Sequence, residues 1–372
     1  MKRSYRSFQM KKLAKFAIAV VTASLLLAGC NKKEEKSSVI TKDNIMVGFV
    51  YIGSITDHGY TEAQDQSRLA LVDMGIQTMY KENVPENSDC EKAIRDLIDA
   101  GCNVIYTTSF GFMDSTINVA KDFPNVKFGH CSGFKTADNV STYFGKMYEA
   151  RYLAGIVAGL KTKTNKIGYV AAFPISECIR GINGFALGVQ SVNPEATVDV
   201  VWTNTWFDPT KEKQGALELL NRGCDVIEQH QDTTAPQVAA EEKGAFALGY
   251  NVPSPTAAPK AYLTAPIFHW ATFVKDDVEQ MLAGTWKSRK YWEGLSAGMV
   301  DLAPLSDLVA EGTAEEVAVA RTAIENGSLK IFKGPLYDQD GNEKVAEGIT
   351  MLDDDVWNMN WFVKGVKGVI PQ

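Results

Sequence analysis

The chain has 372 residues, of which 45% are hydrophobic and 22% charged, and its net charge is -7. That length supports two ordinary domains with their own cores, and the composition excludes a disordered or fibrous chain. The acidic balance supplies no global field to attract nucleic acid or an anionic membrane surface, so neither is expected as a partner of the folded part.

In chain order, residues 1–29 read as a secretory signal peptide. Lys2, Arg3, Lys11, Lys12 and Lys15 precede the apolar run FAIAVVTASLLLAG, which is too short for a comfortable membrane span. Leu27, Ala28 and Gly29 ahead of Cys30 resemble a bacterial lipobox, in which the cysteine is acylated and becomes the mature N-terminus; the alternative is an ordinary signal peptide with an incidental cysteine. Cleavage before Cys30 and lipid anchoring on the extracytoplasmic face of the cell membrane are the expectation. Residues 30–43, charged and without apolar period, read as a flexible tether. No later segment has the roughly 18 unbroken apolar residues a span requires.

From residue 44 the chain repeats itself at an offset of about 120 residues. DLIDAGCNVI at 96–105 returns as ELLNRGCDVI at 218–227, and VGFVYI at 47–52 returns as IGYVAA at 167–172. Each copy cycles through short β-rich runs separated by helical patterns, the signature of βαβ units and a parallel sheet. The first copy has strands at 45–52, 77–84, 103–109 and 126–132; the second has them at 166–173, 198–205, 225–231 and 245–251. Gly101 and Gly223 stand where helix C-terminal caps belong. Further on, 273–286 reads as a helix packing on the first lobe, and 331–351 as a hairpin turning at Asp340 and Gly341. The expected division is a first α/β lobe of 44–162 plus about 268–303, and a second of 163–267 plus about 304–372.

Loops at the carboxyl ends of parallel strands line the crevice where open α/β sheets bind ligands, so two facing lobes make a cleft. Those loops carry Tyr51, Asp57, Tyr60, Ser109, Phe110, Phe173, Trp206, Phe207, Asp208, Asp232, Tyr250 and Asn251. Aromatic rings can sandwich a planar heterocycle while a carboxylate accepts from an exocyclic amine or ring N–H. Tyr51 and Phe173 could instead close the core edge, and Phe207 could point away. Asp57, before His58 and Gly59, and Asp208, before Pro209, are equally helix caps. Trp206 is the hardest to assign to a core, because its counterpart stretch ENVPENSD in the first copy has no aromatic.

Catalytic machinery is missing from the pattern. There is no G-x-G-x-x-G after the first strand, no Walker A loop and no G-x-S-x-G elbow, so neither a phosphorylated ligand nor a cofactor is expected. Cys90, Cys102, Cys131, Cys178 and Cys224 are too scattered for a disulfide framework and read as small buried residues; the four histidines are too far apart for a dedicated metal site.

At this point several segments carry a resemblance. VGFVYIGSITDHGYTEAQDQSR, TSFGFMDSTINVAKDFPNVKF, NVSTYFGKMYEARYLAGIVAGLKTKTNKIGYVAAFP, RGINGFALGVQSVNP and WFDPTKE together resemble the basic membrane lipoprotein (BMP, or Med) family of ABC-transporter substrate-binding proteins. The resemblance covers nearly all of the chain beyond the tether. It implies a type I periplasmic-binding-protein fold: two doubly wound parallel-sheet lobes joined by a multi-stranded hinge, closing on a purine-type ligand. It also implies delivery to a membrane permease and ATPase by a monomeric, non-enzymatic receptor.

In nucleoside-binding relatives an aromatic of the first cleft loop and one of the -F-D- turn stack on the base; those positions match Tyr51 with Ile52, and Trp206 with Phe207, while the first-loop aspartate matches Asp57. This chain departs where such relatives hold ribose, with Asn251 in place of an aspartate and His269 and Trp270 near the place of a lysine. The WFDP and KTADNV signatures resemble adenine-binding members, so a free purine base, adenine first, is the expected ligand. A purine nucleoside receptor, an extracellular nucleoside hydrolase and a ligand sensor are the alternatives.

Overall fold

A computed structural model describes residues 39–371. Cys30 and the segment read as a signal peptide lie outside the described residues. The first lobe opens with β1 (Met46–Val50), α1 (Tyr60–Asp73), β2 (Gln77–Lys81), α2 (Asp89–Asp99), β3 (Val104–Thr107), α3 (Met113–Asp122), β4 (Lys127–Cys131) and β5 (Val140–Gly145). There follow α4 (Met147–Lys161), β6 (Lys166–Ala171), α5 (Ser176–Val192), β7 (Thr197–Trp202), α6 (Pro209–Asn221), β8 (Val226–His230), α7 (Ala235–Glu242) and β9 (Phe246–Ala247). The chain then runs through β10 (Pro266–Phe268), α8 (Ala271–Leu282), β11 (Lys290–Glu293), β12 (Val300–Leu302), α9 (Thr313–Glu325), β13 (Leu336–Tyr337), β14 (Glu343–Val345), α10 (Asp353–Trp357) and β15 (Val366–Lys367).

Two parallel sheets result, in the orders β11-β5-β4-β3-β1-β2 and β15-β7-β6-β8-β9. Helices cover both faces of such sheets, which is why β3 and β8 are buried at every position and read as unbroken runs rather than alternating ones. The seven strands expected ahead of residue 231 form near their expected limits. The run at 245–251 keeps only two strand residues; beyond them Gly249 N–H donates to Thr264 O at 2.8 Å, and Asn251 bridges to Ile267. Chain returning toward the first lobe takes the pairing that a longer β9 would have made.

β5, β11 and β15 were not anticipated. β5 follows β4 without an intervening helix, and β11 and β15 join their sheets from far along the chain. α4, placed by the sequence at the end of the first lobe, packs on α5 of the second. The two backbones approach so closely that a Cβ at Gly155 would fall on the Phe185 carbonyl, and one at Gly188 on the Tyr152 carbonyl.

β10 and β12 pair antiparallel between the sheets, extended by His269 N–H to Met299 O at 2.9 Å and Ala303 N–H to Ala265 O at 2.8 Å. Together with the β5–α4 step they form the crossing between lobes. α8 returns to the first lobe, where Phe273 stacks on Tyr143 (4.4 Å between ring centres) and Asp277 accepts from the Tyr106 hydroxyl at 2.9 Å. β13 and β14 form the expected hairpin, with Asp338 accepting from the amides of Asp340 and Asn342. The five cysteines of the described residues are buried free thiols.

Replacing Gly188 with valine must push α4 and α5 apart. A loss of about 1–3 kcal/mol is expected, the usual cost of overpacking, read as a lower urea midpoint.

Candidate functional site

The carboxyl ends of the two sheets face each other and enclose about 370 Å3 of atom-free space, part of it open to solvent. The first lobe lines it with Ile52, Tyr60, Ser109, Phe110, Ser132 and Phe144, and the second with Glu177, Trp206, His230, Asp232 and Tyr250. Apart from Phe144 in β5 and Tyr60 at the head of α1, the first-lobe residues follow β1, β3 and β4; in the second lobe Glu177, Trp206 and Tyr250 follow β6, β7 and β9, His230 ends β8 and Asp232 lies just past it. Two of the contacts between the lobes lie at the cavity. Ser132 Oγ donates to Glu177 Oε2 at 2.5 Å, and Gly59 approaches the Asp232 carbonyl so closely that a Cβ there would overlap it.

Of the residues singled out by sequence, Tyr60, Ser109, Phe110, Trp206 and Asp232 reach the cavity. Three stand behind it. Phe173 meets Trp206 edge-on at 5.1 Å, Asn251 donates its side-chain amide to Asp232 Oδ1 at 3.4 Å, and Trp270, stacked on Phe268 at 4.0 Å, meets the Tyr60 ring at a right angle. The remaining four do other work. Tyr51 is fully buried with its hydroxyl on Asp65 at 3.1 Å. Phe207 is 52% exposed and lines a separate surface crevice with Asp57 and Pro209.

Both candidate carboxylates cap helices. Asp57 accepts from the amides of Gly59 (2.8 Å), Thr61 (2.8 Å) and Glu62 (3.0 Å) at the start of α1. Asp208 accepts from Thr210 and Lys211 amides at 3.1 Å, and its own amide donates to Glu212 at 2.9 Å, a reciprocal arrangement that closes the first turn of α6. Main-chain donors occupy both Asp57 oxygens and Asp208 Oδ1, while Asp208 Oδ2 faces the Lys211 ammonium at 3.6 Å.

The acids facing the cavity are instead Asp232 and Glu177. Tyr250 and Ile52, which the sequence places in or beside the cleft loops, also line the cavity, whereas Glu177, His230, Ser132 and Phe144 line it without being singled out by the sequence pattern. The signal for Glu177 was its place: an acid in the first turn of the helix that follows β6, at the sheet edge where ligands bind. Ser132 and Asn251 both adopt a φ of 69°, uncommon for residues with a side chain and concentrated at this edge.

The electrostatics separate these groups. Burial drives the Asp232 carboxyl well above the ordinary range, and Asp57, Glu212 and Glu177 push it the same way. Burial pulls Glu177 upward too, but His230, Arg180 and the Ser132 hydroxyl outweigh it and hold the carboxylate ionised. Burial, then Arg151, push the His230 imidazole down to about 4, so it is neutral at pH 7. With Nε2 facing Glu177 Oε1 at 3.4 Å and Tyr250 Oη at 3.3 Å, its Nδ1 has no partner among the described residues. The cavity therefore offers an ionised acceptor, a carboxyl whose burial favours its protonated, donating form, a ring nitrogen and flat aromatic walls. Its lining among the described residues contains no lysine or arginine, and no cluster of three or more His, Cys, Asp or Glu could hold a metal.

Asp232 binds a proton in the folded protein that the unfolded chain releases above about pH 4, so native stability falls as pH rises from there toward the raised folded value. Asp232→Asn removes that penalty. The variant should melt higher than the parent at pH 7, with the gap closing as pH falls to 4; equal melting curves at pH 7 would contradict the assignment.

Residues 44–333 match the family described as "ABC transporter substrate-binding protein PnrA-like". The chain is 40% identical over 360 residues to a purine-binding protein of Brucella abortus, covering 95% of this chain and all of that one. It is also 37% identical to a Haloferax volcanii protein provisionally named as an ABC transporter glucose-binding protein, covering 88% of this chain and 82% of that one. An ABC-transporter solute-binding protein structure from Aeropyrum pernix superposes with a TM-score of 0.68 at 18% identity, over 77% of this chain and 92% of that one. One from Conexibacter woesei gives 0.65 at 20%, over 77% and 97%. These structures establish the type I periplasmic-binding-protein fold, and the sequence match establishes that the chain belongs to the PnrA-like Bmp family of ABC-transporter substrate-binding proteins.

Proposed function

We propose that the protein captures a free purine base, adenine first, and hands it to the permease and ATPase of an importer while tethered to the membrane by a lipid on Cys30. One observation carries the ligand assignment: beside Trp206 the cavity sets the ionised Glu177 with Asp232, whose burial favours the protonated carboxyl. Adenine has amino hydrogens for an ionised acceptor, and its adjoining ring nitrogen and amino group pair with a carboxyl that donates and accepts at once. Hypoxanthine places a carbonyl oxygen where that amino group would be and meets Glu177 with like polarity. The purine-binding Brucella relative, similar over 95% of this chain, supports the same class.

The alternatives differ in what they leave unmatched. A nucleoside brings ribose hydroxyls to Asn251 and Trp270, which stand behind the cavity rather than in it. Glucose, suggested by the Haloferax relative's name, would use the same acidic acceptors and stack on Trp206 without needing the protonated form of Asp232.

Isothermal titration with adenine, hypoxanthine, guanine, adenosine and glucose separates these readings. Adenine is expected to bind at least tenfold more tightly than hypoxanthine or adenosine. If no purine binds below about 100 μM, corresponding to roughly 5.5 kcal/mol, or if glucose wins, the purine assignment fails. Trp206→Ala should cost about 1–3 kcal/mol of adenine affinity, the worth of one base–aromatic stack, without lowering the melting temperature. Membrane attachment is tested separately: Cys30→Ala should shift the protein from the membrane fraction to the soluble extracytoplasmic fraction, and its retention on the membrane would refute lipidation.

A further inference from the structure

Beneath the cavity, α4 sends Arg151 against Glu228, two residues before His230 on β8, and both side chains are fully buried. The same guanidinium donates to the Gln229 carbonyl at 3.1 Å and lies 4.2 Å from the centre of the Tyr250 ring. Tyr250 in turn packs its ring 4.8 Å from that of His230. One buried cation thus touches the strand end and the aromatic ring that hold two of the cavity's residues.

Stability alone explains this pair poorly. Replacing a buried ion pair by apolar residues of similar volume is often neutral or stabilising. Here Arg151 Nε and Nη2 and Glu228 Oε2 have no hydrogen-bond partner among the described residues, so the desolvation is incompletely offset. Besides the Tyr169 ring, 5.3 Å away, the guanidinium's contacts lead to residues that hold or line the cavity.

We propose that Arg151 and Glu228 are a positioning pair for ligand recognition, fixing the Tyr250 ring and the His230 imidazole from below so that their edges meet the bound molecule in one orientation. The choice of ligand probe rests on the purine reading; the packing does not. The charged and titratable groups around His230 are Arg151 from α4, Glu177 and Arg180 from α5, Tyr250 after β9, and Glu228 and Asp232 on or just past its own strand. Arg151 is the leading neighbour disfavouring its protonation, which ties the imidazole's charge state to the pair. Burial works against the charge on Glu228 and Arg151 favours it. In a chain lacking only Arg151 the carboxyl therefore takes up a proton instead of standing as an isolated buried charge.

The test compares the parent with Arg151→Met and with the double variant Arg151→Met/Glu228→Leu. It follows melting temperature, adenine affinity, and the His230 ring proton by NMR between pH 4 and 8 in the ligand-free protein. The double variant should fold and melt near the parent temperature, bind adenine at least tenfold more weakly, and show the His230 midpoint raised by more than one pH unit. Arg151→Met should move the last two readings in the same direction. A folded double variant with parental affinity and an unmoved His230 would overturn the proposal, leaving the pair a packing element. If the double variant does not fold, Arg151→Met decides by the same two readings. If the parent binds no adenine, the purine reading fails, and the ligand-free His230 and Tyr250 signals still decide this one: unchanged midpoint and unchanged ring shifts refute it.

Discussion

Everything at the site depends on three stretches of chain crossing side by side between two sheets. β10 and β12 pair antiparallel, and the β5–α4 step runs beside them, so the lobes are joined by a short, hydrogen-bonded ribbon rather than by free linkers. A ribbon of that kind can bend but cannot let the lobes slide, so the carboxyl ends of the sheets meet in a fixed register. Short crossings also explain why the cavity lining draws on so many separate segments. Each loop needs to supply only one or two groups, because the hinge has already set where the loops face.

Within that frame the acids are sorted by what surrounds them. Asp57 and Asp208 each look down the start of a helix, where main-chain amides are close at hand and otherwise unpaired. Asp232 and Glu177 sit where the lobes meet, and burial with like charges nearby forces one of them toward its neutral form while donors keep the other ionised. Carboxyl groups of similar chemistry thus become two helix caps and two acids facing the cavity through position alone.

That sorting marks the limit of what the sequence made legible. The βαβ cycles were readable because buried parallel strands such as β3 and β8 leave continuous apolar runs, and the repeat at about 120 residues exposed the two lobes. Trp206 was readable as an asymmetry between copies. Asp208 was readable as a cap from the Pro209 beside it, yet a cap and a ligand acceptor share the same local signature, and only the geometry separated them. Ser132 was out of reach because its significance is a contact across the cleft to a residue 45 positions away, and Glu177 offered only its place in the first turn of the helix after β6. β11 and β15 were hidden for a related reason: each completes a sheet built far earlier in the chain.

The close approach of Gly59 to the Asp232 main chain has a kinetic meaning. With no atom to spare between a loop of one lobe and the backbone of the other, a molecule held in the cavity would have no exit at that point until the lobes part. A receptor built this way can hold its cargo firmly in solution and still surrender it at once to a membrane partner that does nothing more than prise the lobes apart.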